Sequence, residues 1–572
     1  MQNTDGQQLF PLVELLRGQR LRLHEILEQV TLLAAWAWCS QNRPEMSLPS
    51  PQDRPGIPAA MAAIEKALSS MGAELPQRDA LEMNCTGRVL QELQEQVAEL
   101  AWPTGEALVA EIGMLGRDMR ADLLSPDLSK IMLKQAKAVG QKVLFAYEMS
   151  AVPMAFADGA TSRVYASQSV TPLTAGLVLV AGATVIAGNP EVARPEADVV
   201  VAAPAFGLKA TWRKDTETPK LSSEGAGLQF AWERSSSRAV VLVTPGVLSR
   251  RGSSEDALRT SLVRANAIEM VIQLPSQTLA NTILPPVLVV LDHSRDEKKP
   301  IVFVDAERVL PQQSGARRSG LPSHPEFWGA LNALLDAPDQ GSACTLATRA
   351  DIESNDFDLS VNRYVIGDAS RKIHALDDAR PLADVAEIIR GQLIKGEDGD
   401  DSDDSAVMIE IGGRDIDESG QIRFQEPRKV LEVSGRSRRR AEQLRVRPGD
   451  VLLIGKGSTG RIAIVGEDCG QNWVAGQVFL IIRSQDRGLV RPEYLYRYLA
   501  SPLVQQYLEE IASGSGIPIL KAQDIKSLPV PVPGRNEQER VIDVHRQIMT
   551  EYEAIDAHRA KIDDLARVCW SI

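Results

Sequence analysis

From Ser237 to Asp292 the chain reads SRAVVLVTPGVLSRRGSSEDALRTSLVRANAIEMVIQLPSQTLANTILPPVLVVLD. Three runs within it, RAVVLV, IEMVIQLP and PPVLVVLD, are short and almost entirely apolar, which is typical of buried strands. A segment with helical spacing separates the first two runs. Buried strands that are separated by helices predict an α/β domain whose sheet is covered on both faces.

The same pattern extends from about residue 140 to about residue 365, where further strand-like runs are KVLFAYEM, GLVLVAGATVIAG, ADVVVAAPAF and KPIVFVDA. Before them, residues 1 to about 140 have helical spacing with a proline-rich break. After them come strands and turns, an acidic run from Glu397 to Asp404 that we interpret as a solvated loop, and one long helix from Asn536. The sequence therefore predicts a multidomain protein.

Length and composition limit the class of protein. A chain of 572 residues exceeds the size of a single core, and no apolar run reaches the roughly 18 residues that span a bilayer. The first residues lack the basic and then apolar order of a secretory signal, so we expect a cytoplasmic location. The five cysteines and six histidines are scattered without ligand spacing, so we expect neither disulfides nor a metal site.

Two motifs connect the chain with a known family. PGVL follows the first strand run at Pro245 to Leu248, and IESNDFDLSVNRYV occupies Ile352 to Val365. Together with the strand run IEMVIQLP between them, these motifs resemble the methyltransferase subunit of type I restriction–modification systems. The resemblance extends over roughly residues 1 to 365. The resemblance implies an N-terminal α-helical domain at residues 1–138 and a doubly wound, Rossmann-like α/β methyltransferase domain at residues 139–370.

The resemblance places the family's Asn-Pro-Pro-Phe motif on residues that lack the catalytic amide: Ala203, Pro204, Ala205 and Phe206. Methylation of an adenine amino group needs an amide and a backbone carbonyl that accept its hydrogen bonds, and alanine offers no amide. We therefore expect no catalytic residue at this motif. Phe206 retains a ring that can stack on a flipped base, and membership of the core is the alternative.

The segments that bind S-adenosylmethionine in the family are altered too. In VLFAYEMSAVPMAF, Phe145 stands at the usual acidic position, and Met149 and Ala151 replace glycines that let the backbone approach the cofactor. Gln168 and Ser169 stand where an acidic residue normally binds the ribose. Three altered motifs predict a pseudoenzyme that binds no cofactor. The alternative is an active, S-adenosylmethionine-dependent adenine methyltransferase with divergent motifs.

Residues 371–535 resemble a target-recognition domain of the type I specificity subunit. They contain GDVLLIGKGSTGRIAIV, WVAGQVFLIIR, PEYLYRYLASPLVQQYL and GSGIPILKAQDIKSLPVPVP in that order. The resemblance implies an α+β domain that binds double-stranded DNA, followed by a long C-terminal spacer helix at residues 536–572. Val541, Ile548, Ile555 and Ile562 recur every seven residues in that helix, which favours self-association or pairing with a partner subunit.

The net charge of −13 argues against DNA binding over the whole surface but permits a local basic patch. Between Arg423 and Arg447 there are nine basic and three acidic residues, a net charge of +6. Such a cluster suits contacts with phosphates and guanine edges, although a solvated basic face is the alternative. The residues that we expect to contact DNA are Arg428, Lys429, Arg436, Arg438, Arg439 and Arg440 in this cluster, Lys456, Ser458, Thr459 and Arg461 in the turn GKGSTGR, and Ser515 and Lys521 at a second small-residue turn, for which a plain hairpin is the alternative.

These features predict a sequence-specific DNA-binding component of a restriction–modification or anti-phage defence system, built on an inactive adenine methyltransferase scaffold. A nuclease or other subunits of such a system are the expected protein partners, and no membrane association is expected. A third interpretation is a structural adaptor or DNA mimic that uses its acidic surface.

Overall fold

The structure is a computed structural model that describes residues 8–121, 123–209, 221–251, 254–282, 284–296, 299–309, 322, 325–338, 341–395, 405–424, 426–512 and 519–569. The chain divides into two compact units, Met1–Val365 and Ile366–Ile572, which we call the first and the second unit. The boundaries at residues 138, 370 and 535 stay predictions. The acidic run from Glu397 to Asp404 lies outside the described residues.

The first unit begins with helices, as the spacing of its apolar residues predicts. The longest of them, α2, buries twelve residues. Threonine hydroxyls accept hydrogen bonds from first-turn amides at the start of α5 and α6, and α7 begins with a proline, which has no amide hydrogen to satisfy. The helices are α1 Phe10–Arg17, α2 Leu23–Asn42, α3 Ile57–Ser70, α4 Ala80–Asn84, α5 Gly87–Glu99, α6 Gly105–Asp118 and α7 Pro126–Ala136.

A nine-stranded mixed sheet follows, with the strand order β3-β2-β1-β4-β5-β7-β6-β8-β9. The strands from β3 to β5 are parallel, and β7 runs antiparallel to both of its neighbours, β5 and β6. The strands are β1 Lys142–Ala146, β2 Ser162–Ser167, β3 Thr184–Ala187, β4 Ala197–Ala202, β5 Ser235–Val243, β6 Ile268–Gln273, β7 Val287–Asp292, β8 Ile301–Asp305 and β9 Cys344–Ala347.

Both faces of this sheet are covered, as predicted. In β1, Val143 and Phe145 pack into one core together with the N-terminal helices, whereas Leu144 and Ala146 pack into a second core on the other face. The helices between and after the strands are α8 Ala151–Ala155, α9 Pro172–Ala181, α10 Pro190–Ala193, α11 Ser223–Arg234, α12 Pro245–Ser249, α13 Ser254–Arg264, α14 Pro325–Asp336, α15 Arg349–Ser354 and α16 Val361–Tyr364.

One run forms a helix where the sequence predicts a strand. In GLVLVAGATVIAG, the residues up to Ala181 belong to α9, and only Thr184–Ala187 forms a strand. The hydroxyl of Thr171 accepts a hydrogen bond from the Thr174 amide at the start of α9, and Gly182, with φ +65°, ends it. Every residue of α9 is buried. A helix enclosed on all sides lacks a polar face, so its sequence resembles that of a buried strand.

The second unit contains three small sheets and seven helices among its described residues. The sheets have the orders β10-β18, β11-β17-β14-β15 and β13-β12-β16. In chain order the elements are α17 Asp368–His374, β10 Ala379–Pro381, α18 Leu382–Val385, β11 Ala386–Arg390, β12 Ala406–Ile411, β13 Lys429–Val433, α19 Gly435–Gln443, β14 Val451–Ile454, β15 Ile462–Ile464, β16 Trp473–Ala475, β17 Phe479–Ser484, α20 Pro492–Leu499, α21 Pro502–Ile511, α22 Ala522–Lys526, β18 Pro529–Pro531 and α23 Arg535–Cys569.

The four-stranded sheet of the second unit has a separate core on each face. Along β14, Val451 and Leu453 pack with α20, α21 and the start of α23, whereas Leu452 and Ile454 pack with β12, β13 and α19. Strand β17 alternates in the same way. The basic helix α19 and the C-terminal helix α23 therefore bury their apolar residues in opposite layers.

The helices of the described ranges are too short or too polar to be membrane spans. None of them combines the length with the apolar character that crossing a bilayer requires.

Candidate methyltransferase site and nucleic-acid interface

The first candidate site lies where β1 and β4 end. These two parallel strands are neighbours in the sheet, and the chain leaves them toward opposite sides, since β2 and β3 lie beyond β1 and β5 lies beyond β4. Ligands of open α/β sheets bind at the carboxyl ends of the strands at such a reversal of strand order. The segments Phe145 to Ala151 and Ala203 to Phe206, which the sequence singles out, both lie at this edge.

Ala203 is fully buried at the end of β4, and its backbone is already hydrogen bonded. Its amide donates to the Ser150 hydroxyl at 2.9 Å, and that hydroxyl donates to the carbonyl of Ala146 at 2.6 Å. Ser150 thus ties the end of β1 to the end of β4. At Ala203, which the resemblance aligns with the family's catalytic amide, the structure has a buried methyl group and a strand end joined to β1 through the Ser150 hydroxyl.

The rest of the motif packs against helix α11. Pro204 is buried so closely that a Cβ added to Gly227 of α11 would lie 2.9 Å from the Pro204 Cγ atom. Ala205 is exposed, and Phe206 is half-buried against the first core. Packing therefore accounts for Phe206 without a stacked base.

The end of β1 holds bulky side chains in place of a glycine-rich turn. Phe145 is fully buried in the core, Ala151 is buried, and Met149 is half-buried against the same core. Tyr147 has a φ of +73°, a backbone conformation that favours glycine, and its ring contacts that of Phe230 edge to face at 6.2 Å. Tyr147 was not found from the sequence, because only the structure shows its backbone angle.

The end of β2 lies beside β1 and carries Gln168 and Ser169, both exposed. These two side chains are neutral, so the end of β2 itself offers no carboxylate to ribose hydroxyls, and the nearest exposed acid after β1 is Glu148. A buried acid of this unit, Glu224, lies at the same end of the sheet: one carboxylate oxygen accepts hydrogen bonds from the Gly207 amide, directly after Phe206, at 3.1 Å and from the Thr244 hydroxyl, directly after β5, at 3.0 Å. The residues present do not fit S-adenosylmethionine as the family's motifs bind it.

The second candidate site is helix α19, which presents arginines to solvent. Arg436 and Arg439 are exposed and have no described carboxylate within ion-pair distance. Arg438 forms an ion pair with Glu442 at 3.1 Å, and the Arg440 guanidinium donates to the carbonyl of Leu393 at 3.5 Å. Of the four predicted contact residues on this helix, Arg436 and Arg439 are therefore the most available for a ligand.

The basic cluster is less positive in the structure than its +6 charge indicates. Arg428 pairs with Glu426 at 3.0 Å and lies over the Phe424 ring, and Lys429 pairs with Glu410 of the neighbouring strand β12 at 2.8 Å. Three further arginines of the cluster, Arg423, Arg445 and Arg447, were not singled out from the sequence. Arg423 pairs with the carboxylates of Asp417 and Asp556.

The turn between β14 and β15 carries the other predicted contact residues. Lys456, Ser458 and Arg461 are exposed and Thr459 is half-buried, and the turn depends on Gly457 and Gly460, whose φ angles are +93° and +92°. The segment of Lys521 lies alongside this turn, since Lys456 forms a backbone bridge with Ile519 and the Leu520 amide donates to Gly455 at 2.9 Å. Ser515 lies outside the described residues.

Backbone hydrogen bonds bring the turn and the end of α19 to one edge of the four-stranded sheet. The Gly391 amide, just after β11, donates to the Phe479 carbonyl at 2.8 Å. Leu393, whose carbonyl accepts from Arg440 of α19, is two residues further along the chain. At the same edge the Gly455 amide donates to Val478 at 2.8 Å. The two groups of basic residues, far apart in sequence, thus flank one edge of the second unit.

Helix α23 packs on the second unit along its first part and is tied to it again by ion pairs at Asp556 and Arg559. Gln538, Ile542 and His545 are buried, whereas Ile555 is 44% and Ile562 is 63% exposed. Burial and the nearby charge of Arg497 lower the pKa of His545 below its ordinary value of 6.5, so its ring is neutral at pH 7. The structure corrects one detail of the predicted stripe, because Ile542 is buried where Val541 is half-buried.

Family models match both parts of the chain. Residues 180–372 match the model described as N-6 DNA methylase, and residues 378–565 match the model described as type I restriction modification DNA specificity domain. The chain therefore contains an N-6 DNA methylase domain match followed by a type I specificity domain match. The match of the methylase region begins after the altered cofactor segments, so it includes Ala203 but not Phe145 or Gln168.

Similar proteins match each region separately. The methylase subunit of the type I restriction enzyme HindI from Haemophilus influenzae is 23% identical over 216 residues, which cover 35% of this chain and 48% of that protein. The specificity subunit of the type I restriction enzyme EcoBI from Escherichia coli is 28% identical over 158 residues, 28% of this chain and 31% of that protein. The chain thus spans about half, or less, of these curated relatives.

A solved structure shares the fold of a large part of this chain. The type I restriction-modification system methyltransferase subunit from Streptococcus thermophilus superposes with a TM-score of 0.50 at 17% sequence identity, over 63% of this chain and 98% of that one. This likeness confirms the predicted methyltransferase-like fold. Within the described residues of both regions, no three His, Cys, Asp or Glu side chains converge as metal ligands would.

Proposed function

We propose that the protein recognises a specific duplex DNA sequence through its specificity region, while its methylase region serves as a scaffold that transfers no methyl group. The observation that carries the first half is the exposed pair Arg436 and Arg439 on α19, a helix whose Arg440 contacts the sheet edge that also presents Lys456 and Lys521. Guanidinium groups that are free of internal carboxylates are suited to guanine edges and phosphates. Neutral turns of small residues suit close contact with the DNA backbone.

The second half of the proposal depends on the closed edge of the large sheet. Transfer of a methyl group to an adenine amine requires a positioned acceptor for that amine and a bound methyl donor. Ala203 supplies no acceptor side chain, and the buried Phe145 with the neutral pair Gln168 and Ser169 lacks the charge that holds the donor. In this proposal the protein uses no cofactor and acts in a restriction–modification or anti-phage defence assembly.

Selection from random duplexes tests the DNA-binding half of the proposal. The full-length protein is expected to enrich one sequence motif. The double variant Arg436→Gln, Arg439→Gln is expected to bind that motif roughly 10- to 100-fold more weakly, because two direct contacts are lost. The salt dependence of binding is expected to become shallower by a slope of about one for each phosphate contact removed.

Two arginines of the first unit serve as a matched control. Arg88 and Arg349 are exposed on helices and pair only with Glu92 and Glu353, so Arg88→Gln, Arg349→Gln removes the same charge without touching the proposed interface. This variant is expected to keep the affinity of the unaltered protein. A library that returns no enriched motif would refute sequence-specific binding.

We also propose that the exposed part of α23 pairs with a second copy of itself or with the helix of a partner subunit. Ile555, Ile562, Leu565 and Val568 are between 44% and 75% exposed along this part of the helix. Apolar side chains in such a row are covered in most proteins. Light scattering is expected to show a species larger than one chain, and Ile555→Glu, Ile562→Glu is expected to reduce it to one chain.

Ala560 offers a control on the same helix, because it is exposed and two residues before Ile562, away from the seven-residue stripe. Ala560→Glu is expected to leave the size unchanged. If the unaltered protein and Ile555→Glu, Ile562→Glu both scatter as single chains, self-pairing is wrong, and retention of a nuclease or another subunit on an affinity column is then the test of pairing with a partner.

A further inference from the structure

A cavity of about 430 Å³ lies between the C-terminal helix α23 and the loop that follows β12. Its lining combines arginines from three separate parts of the second unit with a tyrosine of the helix. Arg414 comes from the loop, Arg461 from the end of the turn GKGSTGR, and Arg559 and Tyr552 from α23, and Arg423 completes the set. Four guanidinium groups around one cavity are typical of sites that bind anions.

One arginine of the cavity bridges two of its carboxylates. Arg423 contacts Asp417 at 2.9 Å and Asp556 at 2.6 Å. Asp417 also accepts hydrogen bonds from the amide and hydroxyl of Ser419, at 2.9 and 2.6 Å. These contacts hold α23 against the loop. With Glu418 the lining has three carboxylates against four guanidinium groups, so the cavity has a net charge of +1.

The remaining arginines are available to a ligand. Arg414 and Arg461 have no carboxylate within ion-pair distance among the described residues, and Arg461 uses one guanidinium nitrogen to donate to the carbonyl of Ile416. Arg559 contacts Glu418 at 2.9 Å, but the two side chains are 59% and 73% exposed. An ion pair so exposed is weak because water screens it, so Arg559 can exchange Glu418 for a stronger partner.

We propose that this cavity binds a phosphodiester of the DNA backbone and that Arg559 leaves Glu418 to contact it together with Arg414 and Arg461. The inference rests on the proposed DNA binding and adds the C-terminal helix to the interface. Arg461 lines the cavity and is also the last residue of the turn that carries Lys456. A DNA strand that contacts this turn is therefore within reach of the cavity. The exposure of Arg414 and Arg559 suits one phosphate of a polymer better than an enclosed small anion.

Salt-dependent binding of the selected duplex tests this inference with the full-length protein. Arg414→Gln, Arg559→Gln is expected to weaken binding roughly tenfold and to lower the slope of log affinity against log salt by about one, since one phosphate contact is lost. Glu418→Gln is expected to strengthen binding, because Arg559 is then free in the unbound protein. Arg567→Gln is the control, because Arg567 is 81% exposed on the same helix and does not line the cavity.

The outcomes separate this inference from the proposed function. If the unaltered protein selects its motif and Arg414→Gln, Arg559→Gln binds it with unchanged affinity and slope, the C-terminal helix does not contact DNA and the inference is wrong. If inorganic phosphate binds in a way that depends on Arg414 while duplex affinity does not, the cavity is a free-anion site and the inference is also wrong. If the unaltered protein binds no duplex, the proposed function and the inference fail together. Melting curves that match those of the unaltered protein exclude misfolding as the cause of weaker binding.

Discussion

The purified protein is expected to incorporate no methyl group into duplex DNA and to bind no S-adenosylmethionine. The two expectations depend on different residues. Ala203 bears on transfer, because removal of one positioned group that stabilises the transition state costs roughly 3–4 kcal/mol in other enzymes. Phe145, Met149 and the pair Gln168 and Ser169 bear on the cofactor, because they replace the glycines and carboxylates that hold it in the family.

Calorimetry with S-adenosylmethionine and tritium transfer to DNA measure the two expectations separately. Ala203→Asn is expected to restore neither, because no methyl donor is bound and because the new side chain enters a fully buried position beside the Ser150 hydroxyl. Binding of the cofactor at micromolar concentration would refute the closed-site interpretation. Tritium incorporation into DNA by the unaltered protein would show that it is an active methyltransferase with divergent motifs.

Asp450→Asn is expected to destabilise the second unit by about 3–5 kcal/mol, the range found when one partner of a buried ion pair is removed. Asp450 is 1% exposed, and its carboxylate accepts hydrogen bonds from Arg483 Nε at 2.8 Å and from the Arg447 amide at 2.8 Å. The same contact with Asp450 raises the pKa of the Arg483 guanidinium. An asparagine turns an amide donor toward one of these donors, so a hydrogen bond is lost and a repulsion is gained.

Thermal unfolding followed by circular dichroism measures this effect. The control is Asp543→Asn, which has the same chemistry on the surface of α23, where Asp543 pairs with Arg546 at 2.7 Å and both side chains are more than half exposed. The control is expected to change stability by less than about 1 kcal/mol. Equal melting temperatures for Asp450→Asn and Asp543→Asn would contradict the structural role of Asp450.

The sequence was sufficient to predict the order of elements along the chain, because buried strands, amphipathic helices and motif order are all local signals. It was misleading at α9, since full burial removes the polar face by which a helix is distinguished from a strand. The sequence singled out Ala203 as a candidate position, but it did not indicate the roles of Ser150 and Tyr147 beside it. A hydroxyl that bridges two strand ends and a tyrosine with positive φ leave no pattern in the sequence.

The charge of the basic cluster was overestimated for a similar reason. Counting residues between Arg423 and Arg447 includes only the carboxylates nearby in sequence. The structure adds Asp556 of α23 beside Arg423 and Glu410 of β12 beside Lys429. Such pairs form between distant segments, so they follow from the tertiary fold and not from local composition. What remains exposed and unpaired, Arg436 and Arg439, is a smaller and sharper candidate for DNA recognition.

The two cores on opposite faces of the four-stranded sheet have a consequence for how DNA specificity can evolve. Substitutions around α19 repack the layer that includes Leu452 and Ile454, while the layer of Val451 and Leu453 keeps its contacts with the start of α23. Adjacent residues of one strand therefore belong to different cores. If α19 contacts DNA as proposed, its supporting core can be repacked to suit another target while the core under the start of α23 keeps its packing, within a single small sheet.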